Sequence, residues 1–182
     1  DLHRWLPPGL CAAIVARSAV RVDPHAEILD LHEVIDSASR TFRVKVEEND
    51  GLLSTQLHAT KHFLKADRVH ITNVIYNLID NAMKYTERPP HILVKTSNEN
   101  DKLVVTISDN GIGMEYSKQL KQNSVLAHKS MAVDIIKRRL EVIASSTKKE
   151  ANISLEEMKE DTKILGTKVT LKLPIQYIND KK

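Results

Sequence analysis

The sequence predicts an α/β fold of two layers, a mixed β-sheet of about five strands covered on one face by about three helices. Three segments show the apolar period of amphipathic helices, and about five shorter ones alternate as strands do. Hairpins are expected at two points of the chain. They make an open, doubly wound sheet a poorer fit, because that fold needs strict alternation of strands and helices.

Each predicted helix has a start signal or an apolar face. Asp30 followed by Glu33 has the spacing of a capping box, which opens a helix through about Val46. Asp67 can cap a second helix, which ends before the two prolines at 89–90. The third helix is indicated by one apolar face, made of Ala132, Ile135, Ile136, Leu140 and Ile143.

The strands are predicted from alternation and from turn residues. Two runs, 91–97 and 102–109, surround the polar turn 98–101 and suggest a hairpin. The other three strands are marked by Leu53, Thr55, Leu57 and Ala59, by Ile153 and Leu155, and by Val169, Leu171 and Leu173. The charged segment 156–165 is expected to be an exposed connection.

Composition limits the classes of function. The chain has 182 residues, 41% hydrophobic and 28% charged, which is typical of a globular domain. A net charge of +3 and 4% aromatic residues do not favour a nucleic-acid partner. The single cysteine, Cys11, cannot form an internal disulfide and fits a reducing compartment. No apolar run reaches membrane-spanning length, so no direct membrane contact is expected from this segment.

The second helix carries polar residues beside its apolar face. Asn73, Asn77, Asn81 and Lys84 form one stripe next to the face made of Ile71, Val74, Ile75, Leu78, Ile79 and Ala82. Asparagine costs up to about 0.7 kcal/mol in a helix relative to alanine. Three asparagines on one stripe therefore need an explanation, although Asn73 can also be a solvated neighbour of the other two.

A second informative stretch follows the strand 102–109. Asp109 continues the inward-facing phase of Leu103, Val105 and Ile107, and a buried carboxylate needs a partner. Gly111 and Gly113 then allow a sharp turn or a close approach of backbone to a ligand. Considered alone, an ordinary β-turn explains this stretch equally well.

Together, the two stretches resemble the two most specific motifs of the ATP-binding domain of two-component sensor histidine kinases. This domain is part of the GHKL, or Bergerat-type, superfamily, which includes type II topoisomerases, mismatch-repair ATPases and a heat-shock chaperone. The motifs are Asn77-x-x-x-Asn81-Ala82-x-Lys84-Tyr85-Thr86 and Asp109-x-Gly111-x-Gly113. The resemblance covers roughly residues 28–175, which leaves 1–27 as a leader or the end of a preceding helical region and 176–182 as a tail.

The resemblance implies a role for the residues of the second motif. Asp109 would accept a hydrogen bond from the exocyclic amine of adenine. Gly111, Ile112 and Gly113 would pass beside the base, and Thr167 is a further candidate for lining its pocket.

For the helix, the resemblance implies metal and phosphate contacts. Asn81 would offer its side-chain oxygen to Mg²⁺, and Asn77 would contact phosphate or metal-bound water, which makes it a second candidate metal ligand. Lys84 would neutralise phosphate charge, and Tyr85 would pack near the adenine.

Asn77 separates the branches of this superfamily by chemistry. The hydrolytic members carry a glutamate there as general base, and an amide cannot accept the proton of an attacking water. The resemblance therefore implies a protein-histidine kinase that uses ATP and Mg²⁺ for transfer, without steady hydrolysis by itself. The isolated domain is expected to be inactive without its acceptor domain.

The segment after the second motif departs from the commoner pattern. A second glycine-rich run is expected at a helix start, but residues 127–134 contain no glycine. This part, 117–175, resembles a divergent branch with a short lid and a His-Lys-Ser element, whereas 28–116 resembles the commoner branch. His128, Lys129 and Ser130 are predicted phosphate contacts, and the alternative is a solvated helix cap with Ser130 as N-cap.

None of the eight histidines lies in the acidic-flanked helical context of a phosphoacceptor. His25, His32 and His91 are expected on the surface. His58 and His62 have a metal-like spacing, but zinc is not expected because they fall at a strand end and in a turn.

The resemblance implies two partners, a dimerisation and histidine-phosphotransfer domain and the receiver domain of a response regulator. It also implies a cytoplasmic location for this domain, and an anchor in the inner membrane is compatible with the parent protein. Two alternatives stay open. One is a degenerate nucleotide-binding domain that regulates a partner without kinase turnover, and the other is a structural interaction domain with an empty pocket.

Overall fold

The computed structural model of the protein describes residues 24–86, 89–113, 131–147, 149–161 and 163–177. These residues form three helices, α1 (Leu31–Glu47), α2 (Arg68–Lys84) and α3 (Met131–Thr147). They also form seven strands: β1 (Glu27–Asp30), β2 (Leu52–Leu57), β3 (Phe63–Ala66), β4 (His91–Glu99), β5 (Lys102–Asp109), β6 (Asn152–Glu160) and β7 (Lys163–Pro174).

Five of the strands form one mixed sheet in the order β2-β4-β5-β7-β6. β2 and β4 are parallel, and the other neighbours are antiparallel. The predicted sheet and its three helices are therefore confirmed. β5 is the central strand, so its last residue, Asp109, lies between the start of β4 and the middle of β7. Asp109 pairs with Ile92 of β4, and the preceding residue, Ser108, pairs with Lys168 of β7.

The helices pack through their apolar stripes on the sheet. The predicted face of α2 is buried, with every member at most 5% exposed. Leu103, Val105 and Ile107 of β5 join the same core. Both predicted N-caps are confirmed, since Asp30 accepts a hydrogen bond from the backbone N–H of His32 and Asp67 accepts one from that of His70.

The strands differ from the prediction at three points. β1 and β3 form a separate antiparallel ribbon that was not predicted. The segment 156–165 is not a connection, because β6 continues through Glu160 and pairs with β7 from Lys163 onward. Its charges fit an edge strand, where charged side chains keep the unpaired edge from joining another sheet. β2 also ends at Leu57, before Ala59.

Most of the predicted leader, residues 1–23, lies outside the described residues, and so do residues 178–182 of the predicted tail. The domain boundaries therefore remain predictions. In the part of the chain that the structure covers, no helix combines the length and the apolar character needed to cross a membrane.

Candidate functional site

The carboxyl end of α2 meets the turn that follows β5. The backbone N–H of Ile112 donates a hydrogen bond of 2.9 Å to the carbonyl of Tyr85. A Cβ placed on Gly111 would lie 2.4 Å from that carbonyl oxygen, so only glycine permits this approach. A backbone hydrogen bond therefore connects the two motifs directly.

Asn77 and Asn81 lie one turn apart on α2, half-buried beside its apolar face. The third asparagine of the stripe, Asn73, is also half-buried. The amide oxygens of Asn77 and Asn81 are hard ligands of the kind that Mg²⁺ prefers. The donor set thus fits a magnesium ion that keeps several of its waters.

Asp109 is held by two backbone donors. Its Oδ1 accepts hydrogen bonds from the N–H of Gly111, at 2.8 Å, and from the N–H of Thr167, at 3.1 Å. Burial raises the pKa of the Asp109 carboxyl, and these two hydrogen bonds act in the opposite direction. Both bonds end on Oδ1, and within the described part of the chain this leaves Oδ2 to accept a hydrogen bond from a ligand.

Gly166 makes the contact between Asp109 and β7 possible. Its φ is +152°, and a Cβ there would lie 1.7 Å from the carbonyl oxygen of Asp109. A side chain at this position would push β7 away from the end of β5. Thr167 therefore reaches the site through its backbone N–H because the residue before it is glycine.

Gly113 lies against the β6–β7 hairpin. It has a φ of +83°, and a Cβ on it would approach a methyl group of Ile164 at 2.9 Å and Oε1 of Glu157 at 3.0 Å. The side chain of Glu157 is 8% exposed and forms a 2.9 Å ion pair with Lys159. The hairpin thus forms a wall beside the glycine turn, which the sequence reasoning missed because it treated this segment as a connection.

Asn110 is a second residue that the sequence reasoning missed, although it lies inside the second motif. Its side-chain oxygen accepts from the N–H of His91 at 2.9 Å, and its amide donates to the carbonyl of Pro89 at 3.0 Å. Asn110 therefore ties the start of β4 to the end of β5. Asparagine often makes such backbone bonds in turns, and that was the available signal.

Lys84 forms an ion pair with Asp80, four residues earlier on α2, with an N···O distance of 2.5 Å. The hydrogen bond with Asp80 raises the pKa of the Lys84 ammonium, and their charge attraction adds to this. The lysine side chain is 60% exposed, so it can turn toward an anion without loss of packing. Asp80 thus holds the lysine near the end of the asparagine stripe.

The predicted phosphate contacts are the part of the site that the described residues do not include. His128, Lys129 and Ser130 lie outside the described residues. His25, His58 and His91 are exposed. The expectation for His32 is wrong, because its ring is half-buried and stacks on the ring of His62, with centroids 4.2 Å apart. Burial lowers the pKa of His32, and the neighbouring His62 lowers it further.

Comparisons with known proteins identify a family and its relatives. Residues 66–177 match the family model described as histidine kinase-, DNA gyrase B-, and HSP90-like ATPase. The sensor protein RprX of Bacteroides fragilis is 45% identical over 89 residues, which are 48% of this chain and 17% of RprX. The alginate biosynthesis sensor protein KinB of Pseudomonas aeruginosa is 29% identical over 90 residues, 50% of this chain and 15% of KinB. The chain thus spans about a sixth of the length of these relatives.

Solved structures show the same fold at low sequence identity. The catalytic domain of the histidine kinase ThkA superposes with a TM-score of 0.65 and 18% identity, over 82% of this chain and 95% of that domain. Full-length ShkA, in complex with AMPPNP, superposes with a TM-score of 0.67 and 11% identity, over 93% of this chain and 36% of ShkA. The predicted fold class is confirmed by these likenesses.

Proposed function

Because the chain belongs to the family of histidine kinase-, DNA gyrase B- and HSP90-like ATPases and has the ATP-binding domain of sensor histidine kinases, we propose that it presents Mg-ATP for phosphoryl transfer to a histidine on a separate domain. The observation that carries this proposal is the position of Asp109. Its carboxylate is fixed at the end of the central strand by two backbone hydrogen bonds to Oδ1.

Oδ2 of Asp109 is the atom proposed to recognise adenine. A carboxylate accepts hydrogen bonds and cannot donate them, so it pairs with the exocyclic amine of adenine and not with the carbonyl that guanine carries at that position. The half-buried surroundings strengthen such a bond relative to one in water. Gly111, Ile112, Gly113, Tyr85 and Thr167 are the proposed neighbours of the base.

The metal and phosphates are proposed to lie along α2. Asn81 would coordinate Mg²⁺ through its amide oxygen, with Asn77 as a second ligand or as the partner of a metal-bound water. The ion would neutralise phosphate charge. Lys84 would leave Asp80 for the phosphates, and His128, Lys129 and Ser130 are the proposed contacts on the other side.

Transfer, and not hydrolysis, follows from the side chain at position 77. Phosphoryl transfer asks the nucleotide-binding domain mainly for positioning and for charge neutralisation. The amide of Asn77 can position a metal or a water, but it cannot remove the proton of an attacking water. The acceptor imidazole brings its own nucleophile, so the chain needs no general base for this step.

The proposed partners are a helical dimerisation domain that carries the acceptor histidine and the receiver domain of a response regulator. The structural neighbour ThkA has been solved in complex with the response regulator protein TrrA, which supports this kind of partner. The proposed location is the cytoplasm, where ATP is available and the single cysteine stays reduced.

A second candidate is favoured by one observation from the sequence. Residues 114–165 contain no glycine, although a glycine-rich run there normally lets backbone amides hold the phosphates. In this alternative the domain binds nucleotide and regulates a partner without turnover.

A transfer assay separates the two candidates. The chain is mixed with γ-³²P-ATP, Mg²⁺ and a separately supplied helical domain with a histidine acceptor. Labelling of the acceptor that is lost in Asn81→Ala supports the kinase. ATP binding without labelling of any supplied acceptor supports the regulatory domain, and steady phosphate release by the chain alone would contradict the role proposed for Asn77.

A further inference from the structure

The start of α1 brings together three side chains that can bind metal ions. Asp30 ends β1 and caps α1, His32 lies in the first turn of α1, and His62 directly precedes β3. One ligand atom from each lies within 4.8 Å of the others, and all three residues are half-buried. No element of the ATP-binding motifs contributes to this cluster.

The backbone holds the three residues in place. Asp30 is paired with Phe63 in the ribbon of β1 and β3, and the N–H of Leu31 donates to the carbonyl of His62 at 3.0 Å. Oδ1 of Asp30 also accepts from the backbone N–H of His32 at 2.8 Å. A site made of these residues would therefore be organised before an ion arrives.

His32 has the kind of outer partner that metal-bound imidazoles have. Its Nε2 lies 2.9 Å from Oγ1 of Thr96, which is 2% exposed and also accepts from the N–H of Ala59 at 3.3 Å. A hydrogen bond of this kind fixes ring orientation and tautomer in metal sites. With Nε2 engaged by the hydroxyl, Nδ1 is the nitrogen of His32 that remains for an ion.

We propose that Asp30, His32 and His62 form a binding site for a divalent transition metal ion such as Zn²⁺. Two imidazole nitrogens and one carboxylate oxygen are a common donor set for zinc, and a water would complete the coordination. This set does not suit Mg²⁺, which prefers oxygen ligands. The site is thus chemically distinct from the proposed nucleotide site.

Binding requires a small rearrangement. Nδ1 of His62 now lies 2.7 Å from Oδ1 of Asp30, with a proton between them. An ion would take the place of that proton and open the pair to about 3.3 Å, the separation of two ligands around tetrahedral zinc. The two rings are stacked 6° from parallel, so one of them must also rotate for the lone pairs to converge. His62 lies in the connection between β2 and β3, where such a rotation disturbs no helix or strand.

The bound ion would fasten the β1–β3 ribbon to α1. An ion that binds the folded state and not the unfolded one stabilises the fold in proportion to its affinity. We therefore expect Zn²⁺ to raise the melting temperature of the chain.

The test is a titration of the full chain with ZnCl₂ in competition with a chromophoric chelator. Wild type is expected to bind one equivalent, and His32→Ala, His62→Ala and Asp30→Asn are each expected to weaken binding by more than about 10-fold, the loss that removal of an outer partner alone can cause. Asp30→Asn keeps a good N-cap, so it separates metal binding from folding. His62→Gln replaces His62→Ala if that variant does not fold.

The matched controls are His58→Ala, in the same connection but exposed, and Asn81→Ala, in the proposed nucleotide site. Both are expected to bind Zn²⁺ as wild type does, and the zinc-dependent rise in melting temperature should vanish only in the cluster variants. The proposal is overturned if His58→Ala weakens binding as much as His62→Ala. It is also overturned if zinc binding survives in the three cluster variants, because the ion would then be bound by scattered surface histidines.

Discussion

Asp109 offers the sharpest test because its two oxygens have different roles. Oδ1 accepts from the N–H groups of Gly111 and Thr167, and Oδ2 is the proposed partner of adenine. Asp109→Asn keeps an acceptor, which must stay at the two N–H donors, and so its NH₂ group faces the pocket. Asp109→Ala removes both atoms. The asparagine variant therefore removes ligand recognition while it keeps the local structure.

The expected magnitudes follow from these contacts. A hydrogen bond to a charged group contributes about 1.5–3 kcal/mol, so Asp109→Asn should weaken ATP binding about 10- to 150-fold. Both variants remove a carboxylate whose pKa is raised by burial, and the charge therefore does not distinguish their stabilities. Asp109→Ala also leaves two half-buried N–H donors without an acceptor, and each unsatisfied donor costs about 1–3 kcal/mol of folding stability when it is buried. Because the site is half-exposed, we expect a total loss of roughly 2–4 kcal/mol for the two donors. This predicts a melting temperature roughly 4–16 °C below that of Asp109→Asn.

The assay is calorimetric titration of ATP into each variant, with a thermal melt of the same samples. Ser108→Ala is the matched control, since the neighbouring side chain faces the opposite side of β5, and both its affinity and its melting temperature should stay close to wild type. Wild-type affinity in Asp109→Asn would refute the role of Oδ2. Equal melting temperatures for the asparagine and alanine variants would refute the role of Oδ1.

Three further predictions concern the same site. Gly166→Ala should destabilise the fold by roughly 2–5 kcal/mol, because its Cβ would overlap the carbonyl of Asp109. The measurement is a denaturant titration, and an unchanged unfolding midpoint would mean that the backbones of Gly166 and Asp109 are not in contact. ATP affinity should fall by up to about tenfold per pH unit once the pH drops below the raised pKa of Asp109, and it should level off near the affinity of Asp109→Asn. The reason is that a protonated carboxyl is a weaker acceptor for the adenine amine than a carboxylate. The affinity of Asp109→Asn should not follow this titration. Lys84→Ala should weaken ATP binding about 2- to 5-fold, as expected for an exposed charge, and leave adenosine binding unchanged; an equal loss for both ligands would place the lysine at the base.

The sequence predicted those parts of the fold that depend on local pattern. The apolar stripe of α2 and the caps at Asp30 and Asp67 depend on neighbours in the chain, so they could be recognised without the structure. The ribbon of β1 and β3 could not, because two strands of four residues pair across more than thirty residues of chain. The predicted β6 was too short because the second half of this strand, from Glu156 onward, is mostly charged, as an exposed edge strand can be.

The candidate site was predictable in its members but not in its bonds. Asp109, Gly111 and Thr167 were all named from motifs, yet only the register of β5 and β7 shows that Thr167 donates to Asp109. The cluster of Asp30 and His62 was missed for the same reason. Its members are separated by 32 positions and meet only through the β1–β3 ribbon.

The most direct test of the central claim is a titration of the wild-type chain with ATP in the presence and in the absence of Mg²⁺, repeated with Asn81→Ala. The proposed site predicts binding that is strengthened by Mg²⁺ in wild type and loses that dependence in Asn81→Ala. ATP binding that is the same with and without the ion, or a magnesium dependence that survives in Asn81→Ala, would contradict it.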